Sequence, residues 1–181
     1  MRSSRLALAL ALVVAAAAAI LAHAASAADG MRCRAGGQAA ATNELRRAVE
    51  RSPLYRVLAA TSPVVGCEAE QADTRTILAY RFRDGASLRV ERDAATESTR
   101  QEARVGSTFR ARPVAVLKRA ERAAFGAGGC GIDWRAPATQ APGEPPQARV
   151  TVYRGDVCNC QARVGRDERG RVQTLALVSA C

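Results

Sequence analysis

Histidine is nearly absent from this chain, and its absence removes a large group of functions. The only histidine among 181 residues is His23, which lies in an apolar N-terminal segment. A Ser-His-Asp triad, a Cys-His nucleophile, a histidine-ligated haem and the common zinc sites all require imidazole. We therefore predict a non-catalytic protein without catalytic residues, without a metal site and without a cofactor.

Methionine, aromatic residues and lysine are also scarce. Met1 and Met31 are the only methionines, and the aromatic set is one tryptophan, three tyrosines and three phenylalanines. A methionine-rich copper site is thereby excluded, and the binding of stacked bases or sugars is not favoured.

The positive charge is almost entirely arginine, because Lys118 is the sole lysine among 27 basic residues. The formal net charge of +10 favours an anionic partner, such as an acidic protein, lipid head groups or an acidic envelope polymer. Basic residues are interleaved with acids, so the sequence does not favour nucleic acid as a partner.

Residues 1–27 have the pattern of a cleavable secretory signal. Arg2 and Arg5 precede an unbroken apolar run over residues 6–22, and small-x-small sites follow at residues 22–24 and 25–27. We expect cleavage after Ala27. The alternative is an uncleaved anchor helix, but the run is short for the roughly 20 residues that span a bilayer.

Cleavage would leave residues 28–181 as one exported domain with a net charge of +8, because the signal contains two arginines and no acids. We expect this product to be periplasmic or secreted, with no transmembrane span.

Six cysteines follow the expected cleavage site, and an even count in an exported chain indicates a disulfide framework. They are Cys33, Cys67, Cys130, Cys158, Cys160 and Cys181. If residues 157–164 form a strand, Cys158 and Cys160 share one face with Cα atoms about 6.5–7 Å apart, which is at or past the limit for an unstrained bridge. We therefore expect them to bond to different partners.

For the pairing we favour Cys33 with Cys67. Cys130 and Cys181 would then take Cys158 and Cys160, in an order that the sequence does not assign. The alternative is a redox-active Cys158–Cys160 pair, in which Arg154 and Arg163 would lower the pKa of a thiol. That alternative would make the protein a thiol-disulfide oxidoreductase or a redox chaperone.

Turn and capping residues divide the chain into helices and strands. Residues 43–60 are predicted to form a helix that is broken at Ser52-Pro53, and a further helix is predicted to begin at Pro113 and to stop at Gly126. Strands are predicted near 98–105, 149–153, 157–164 and 172–180.

The clearest prediction is a hairpin around residues 76–93. A three-residue loop, Arg83-Asp84-Gly85, would set Phe82 opposite Ala86, Tyr80 opposite Leu88 and Leu78 opposite Val90, which keeps the apolar residues on one face.

These elements predict an α+β fold in which helices pack on an antiparallel sheet that is stapled by disulfides. Two halves, 28–110 and 111–181, share this outline, and a Pro-rich loop at 136–147 lies within the second half. The element order resembles that of small periplasmic inhibitor and PepSY-type modules, and the resemblance extends to element order alone.

Two surfaces are candidates for binding. Arg81, Arg83 and Arg89 project from the polar side of the hairpin and could bind an anion, or they could be an ordinary solvated face. Trp134, beside Cys130, could be a ligand platform or part of the core.

The sequence as a whole predicts a non-catalytic binding protein of the cell envelope. It would be an inhibitor, adaptor or accessory factor for an anionic protein or polymer. A purely structural role in the envelope is a further alternative.

Overall fold

The computed structural model describes residues 33–36, 39–137 and 149–181. The predicted signal at 1–27 and most of the Pro-rich loop at 136–147 lie outside the described residues. Residues from Cys33 to Cys181 group into one compact unit. In the part of the chain that the structure describes, no helix is long and apolar enough to cross a membrane.

The described residues form three helices, α1 (Ala39–Arg51), α2 (Pro53–Ala59) and α3 (Pro113–Phe125). The predicted break is confirmed, because the Ser52 hydroxyl accepts a hydrogen bond from the Tyr55 backbone N–H at 3.2 Å and Pro53 opens α2. The start predicted for the first helix was wrong, because the alanines before Thr42 extend α1 to Ala39. Gly126, at φ 79°, follows α3 as predicted.

Eight strands in the described residues form one sheet. They are β1 (Arg34–Gly36), β2 (Val64–Ala72), β3 (Arg75–Phe82), β4 (Ser87–Asp93), β5 (Ser98–Arg104), β6 (Val150–Arg154), β7 (Gln161–Arg166) and β8 (Val172–Ser179). The order is β1-β2-β3-β4-β5-β8-β7-β6, in which β1 runs parallel to β2 and every other neighbouring pair is antiparallel. Strand β2 was not predicted. Because β5 pairs with β8, the sheet continues across both halves of the chain.

The β3–β4 hairpin has the predicted register. Leu78 pairs with Val90 and Tyr80 with Leu88, and the Phe82 N–H donates to the Ala86 carbonyl at 2.9 Å. Gly85 has a φ of 84°, which is the left-handed conformation that the three-residue loop requires. The apolar alternation therefore selects this register over the shifted one.

Alternate strand residues are buried, and we call the side on which they lie the core face. Their side chains join one hydrophobic cluster with buried helix residues, which include Leu45, Leu54, Leu58, Val116 and Leu117. The remaining strand positions, among them Arg81, Arg89 and Glu102, define the open face of the sheet. The mixed α+β class is confirmed.

Three disulfides connect all six cysteines, Cys33 with Cys67, Cys130 with Cys160, and Cys158 with Cys181. The first pair is the one that we expected. Cys158 and Cys160 bond to different partners, as predicted, and the structure supplies the order that the sequence left open.

The strand that we predicted over residues 157–164 was wrong at its start, because Cys158 and Cys160 lie in a turn before β7. Cys158 and Asn159 both have positive φ, 54° and 44°, and the Cys160 N–H donates to the Val157 carbonyl at 3.2 Å. This is the pattern of a type I′ turn, whose two central residues have positive φ and are usually glycine, asparagine or aspartate. The turn leaves Cys160 fully buried and Cys158 half-buried, so each meets a different partner.

Candidate functional site

The antiparallel sheet sorts the strand connections by charge. Four strand ends and connections lie at one end of the sheet, residues 83–86, 104–112, 149–150 and 166–171. Together they contain eight arginines and three acids, and we call this the basic end. Its positive charge is assembled from segments that are far apart in the chain.

The opposite end of the sheet carries the reverse balance. It collects residues 73–75, 93–98, 154–160 and 179–181, which contain two arginines and four acids. The charge of the strand ends and connections is therefore polarised along the strand direction.

An open cleft of about 740 Å³ lies at the basic end. It separates the connection between β5 and α3 from the β7–β8 turn, and it is lined by Arg110, Arg166 and Arg171 together with Val105, Phe109 and Val172. We call it the basic cleft. Three guanidinium groups thus border a single cavity that has apolar side chains beside them.

Two of these guanidinium groups are held by backbone carbonyls. Nη1 of Arg110 donates to the carbonyls of Ser107 at 2.7 Å and Phe109 at 2.9 Å, and Nη1 of Arg166 donates to the carbonyl of Gly170 at 2.9 Å. Each contact uses one nitrogen of a group that carries five N–H donors. Both side chains therefore keep N–H donors for a ligand while their position is restrained.

Asp167 holds the third arginine and organises the turn. Its carboxylate accepts hydrogen bonds from the Arg171 Nε at 2.8 Å and from the backbone N–H groups of Arg169 and Arg171 at 2.9 and 2.8 Å. Desolvation raises the pKa of Asp167, but the hydrogen bonds from Arg171 and Arg169 outweigh it and lower the pKa overall. The ionised carboxylate offsets one of the three positive charges at the cleft.

The loop that carries Arg110 is fastened to the β3–β4 hairpin. The Thr108 hydroxyl donates to the Asp84 carboxylate, and this bond is the main cause that lowers the pKa of Asp84. Gly106 permits the approach, since a Cβ there would lie 2.1 Å from Oδ2 of Asp84. The wall of the cleft is thus tied to the sheet and is not a free loop.

The predicted arginine patch is divided between two environments. Arg89 lies in the middle of the open face and contacts Glu91 at 3.9 Å, whereas Arg81 lies at the last pair of the β3–β4 hairpin and contacts Glu68 at 3.2 Å. Arg83 lies in the hairpin turn, at the basic end, and its side chain is exposed. Arg83 and Arg81 therefore lie toward the basic end, and Arg89 does not.

Trp134 is half-buried against the core and tied to α3. Its Nε1 donates to Oε2 of Glu121 at 2.9 Å, its ring lies 5.3 Å from that of Tyr153, and Lys118 Nζ lies 5.9 Å from its centroid. A cavity of about 200 Å³ adjoins it. The tryptophan and the lysine therefore have contacts within the domain that explain their positions.

A second groove, of about 770 Å³, lies on the core face between the C-terminal parts of α1 and α3. Beneath it lie Thr99 and Gln101 of β5, and the side-chain oxygen of Gln101 is buried without a hydrogen-bond partner. Thr99 and Gln101 of β5 therefore face a gap between the helices.

The described residues contain no cluster of histidine, cysteine, aspartate and glutamate able to hold a metal ion. Scans of family models, of curated proteins and of solved structures find no match to this chain.

Sequence reasoning missed Arg110, Arg166 and Arg171. The one local signal was the arginine-rich segment at residues 166–171, RDERGR.

Proposed function

We propose that this chain is an exported, non-catalytic protein that binds an anionic protein or polymer of the cell envelope. It would act as an inhibitor, an adaptor or an accessory factor. The binding surface is the basic end, and the three helices serve as one layer packed on the core face. The polarised distribution of arginine, eight against three acids at one end of the sheet, is the observation that carries this proposal.

The cross-links support an oxidising compartment. Three disulfides are stable only where thiols are kept oxidised, which fits the periplasm or the extracellular space. All six cysteines are consumed in these bonds, so they act as scaffold and leave recognition to the surface.

Charge pairing distinguishes the basic end from the open face. On the open face Arg81, Arg89 and Arg100 each contact a glutamate, so that face is largely self-neutralised. At the basic end Arg149 and Arg171 contact Glu168 and Asp167. The polar contacts of Arg110 and Arg166 among the described residues are with carbonyl oxygens. An incoming anion displaces no carboxylate from these two arginines.

The test is salt-dependent binding by the exported protein, purified from the compartment to which it is delivered. Poly-L-glutamate, polyphosphate and phosphatidylglycerol vesicles are titrated at about 50 mM salt and again at about 300 mM. The triple variant R83E/R110E/R166E should lose binding by at least about tenfold. The triple variant R47E/R56E/R119E changes the net charge equally on exposed helix positions and should retain most of it.

Equal losses in both triple variants would show that net charge alone drives association and would refute the proposed surface. Absence of salt-dependent binding to every polyanion would refute the function itself.

The alternative, a thiol-disulfide oxidoreductase, depends on a bond between Cys158 and Cys160. The two cysteines are joined to Cys181 and Cys130 instead, so the disulfide pattern lends this alternative no support.

A further inference from the structure

We infer that the basic cleft receives a phosphoryl group, so that the anionic partner is a phosphate-bearing polymer and not an acidic protein. This inference rests on the proposed function and specifies the ligand chemistry of the same surface. The inference depends on three guanidinium groups on one cleft, those of Arg110, Arg166 and Arg171.

The number of guanidinium groups at the cleft favours a phosphoryl group over a single carboxylate. One carboxylate offers two oxygens and is satisfied by a single arginine fork. A phosphoryl group presents more acceptor oxygens and, as a monoester, close to two negative charges, so it can engage several guanidinium groups together. Three arginines with one ionised acid, Asp167, leave a surplus of two charges at the cleft.

The arginines are also prepared for such a ligand. Arg110 and Arg166 are held by carbonyls of their own loops, and Arg171 is held through Nε by Asp167, which leaves its terminal nitrogens available. Restraint before binding lowers the entropy lost on binding, and planar forks suit phosphate oxygens. A set of freely rotating surface arginines would lack this advantage.

The size and lining of the cleft fit a phosphate attached to an organic chain. Its volume of about 740 Å³ exceeds what one phosphate fills, and Val105, Phe109 and Val172 supply apolar surface beside the arginines. A polymer that carries phosphates on a carbon backbone could place its charged group among the arginines and its backbone along these side chains.

The experiment separates charge from fork geometry. Inorganic pyrophosphate, polyphosphate and poly-L-glutamate are titrated calorimetrically into the exported protein and into R110K/R166K, which keeps both charges but removes both forks. We expect R110K/R166K to bind pyrophosphate and polyphosphate at least about tenfold more weakly and poly-L-glutamate almost as well as before. The matched control is R169K, because Arg169 lies in the same turn but does not line the cleft.

Several outcomes would overturn this inference. They are a polyphosphate affinity that R110K/R166K leaves unchanged, an equal loss in R169K, and binding to phosphatidylglycerol vesicles without binding to polyphosphate. Salt-dependent binding of poly-L-glutamate without any binding of pyrophosphate or polyphosphate would also overturn it, while the proposed function would stand. If no polyanion binds, both fail together.

Discussion

The carboxylate of Glu121 accepts a hydrogen bond from the backbone N–H of Cys130 at 3.0 Å, nine residues further along the chain. Its two oxygens also accept from the Ile132 N–H at 3.4 Å and from Nε1 of Trp134 at 2.9 Å. Glu121 is itself buried, on α3. One side chain therefore supplies the acceptors for the loop that carries the Cys130–Cys160 disulfide.

Replacement of Glu121 should destabilise the domain. E121A would leave three donors without an acceptor, and each unsatisfied buried donor costs about 1–3 kcal/mol, so we expect a loss of about 3 kcal/mol or more. E121Q retains one acceptor oxygen and should lose less. Urea unfolding monitored by the fluorescence of Trp134, the only tryptophan, measures both.

Arg122 provides the control for Glu121, because it is the next residue on α3 and is exposed. R122A should change the free energy of unfolding by no more than about 0.5 kcal/mol. A wild-type urea midpoint in E121A would contradict the role given to the carboxylate.

Two glycines of neighbouring segments should respond in opposite ways to alanine. A Cβ at Gly155 would lie 2.4 Å from the carbonyl oxygen of Cys130, so G155A must displace backbone and should cost about 2 kcal/mol. A Cβ at Gly128 meets nothing within 4 Å, and G128A should be neutral or stabilise by up to about 1 kcal/mol. Thermal or urea unfolding of the two variants tests the difference, and similar midpoints would refute it.

The Cys158–Cys181 bond closes a loop with a sequence separation of 23 residues. The double variant C158A/C181A should lose about 3 kcal/mol of stability, since a loop of this length loses entropy when it is closed in the unfolded chain. Urea unfolding gives the value. Mass mapping without reduction should find three bridges and no free thiol, and a Cys158–Cys160 peptide would contradict the structure.

The stability of the domain should depend on the ionised form of Asp84 at low pH. The hydrogen bond from Thr108 lowers the pKa of the Asp84 carboxyl below its unfolded value of 3.8. The ionised carboxylate therefore stabilises the domain fully above pH 3.8, and this stabilisation is lost as pH falls through the folded-state pKa. D84N should be less stable than the wild type at pH 7. The difference should shrink as pH falls below 3.8, as measured by urea midpoints in a series from about pH 7 into acid.

D73N is a suitable control for D84N. Asp73 is exposed, and asparagine tolerates its φ of 50°. A stability difference between D84N and the wild type that persisted unchanged in acid would disprove the assigned origin.

Local patterns predicted the parts of the fold that depend on neighbours in sequence. The alternation around Tyr80 and Phe82 specified the β3–β4 register, and Ser52-Pro53 specified the break between α1 and α2. Strand β2 was not predicted from its sequence. Its core-face positions include Cys67, Ala69 and Gln71, which provide little hydrophobic contrast with the glutamates between them. The turn at Cys158 and Asn159 was not predicted, because both residues have positive φ and only asparagine is a residue type that favours this conformation.

The candidate site could not be predicted by the same means. Arg110 and Arg166 are 56 positions apart in the chain, and they meet because β5 pairs with β8 and β8 with β7. The hairpin arginines Arg81 and Arg89 were the visible candidates, but the register places glutamates beside them. Whether an arginine is paired or available depends on cross-strand neighbours, which periodicity within a strand does not reveal.

Composition and local order alone determined that this is a histidine-poor, arginine-rich, cysteine-paired α+β chain, because residue chemistry and backbone preference act within a few positions. Only the tertiary structure decided which cysteine bonds to which, and which arginines meet at one cleft. Both depend on strand order, and strand order is set by the burial of all the apolar faces together, which is a property of the whole domain.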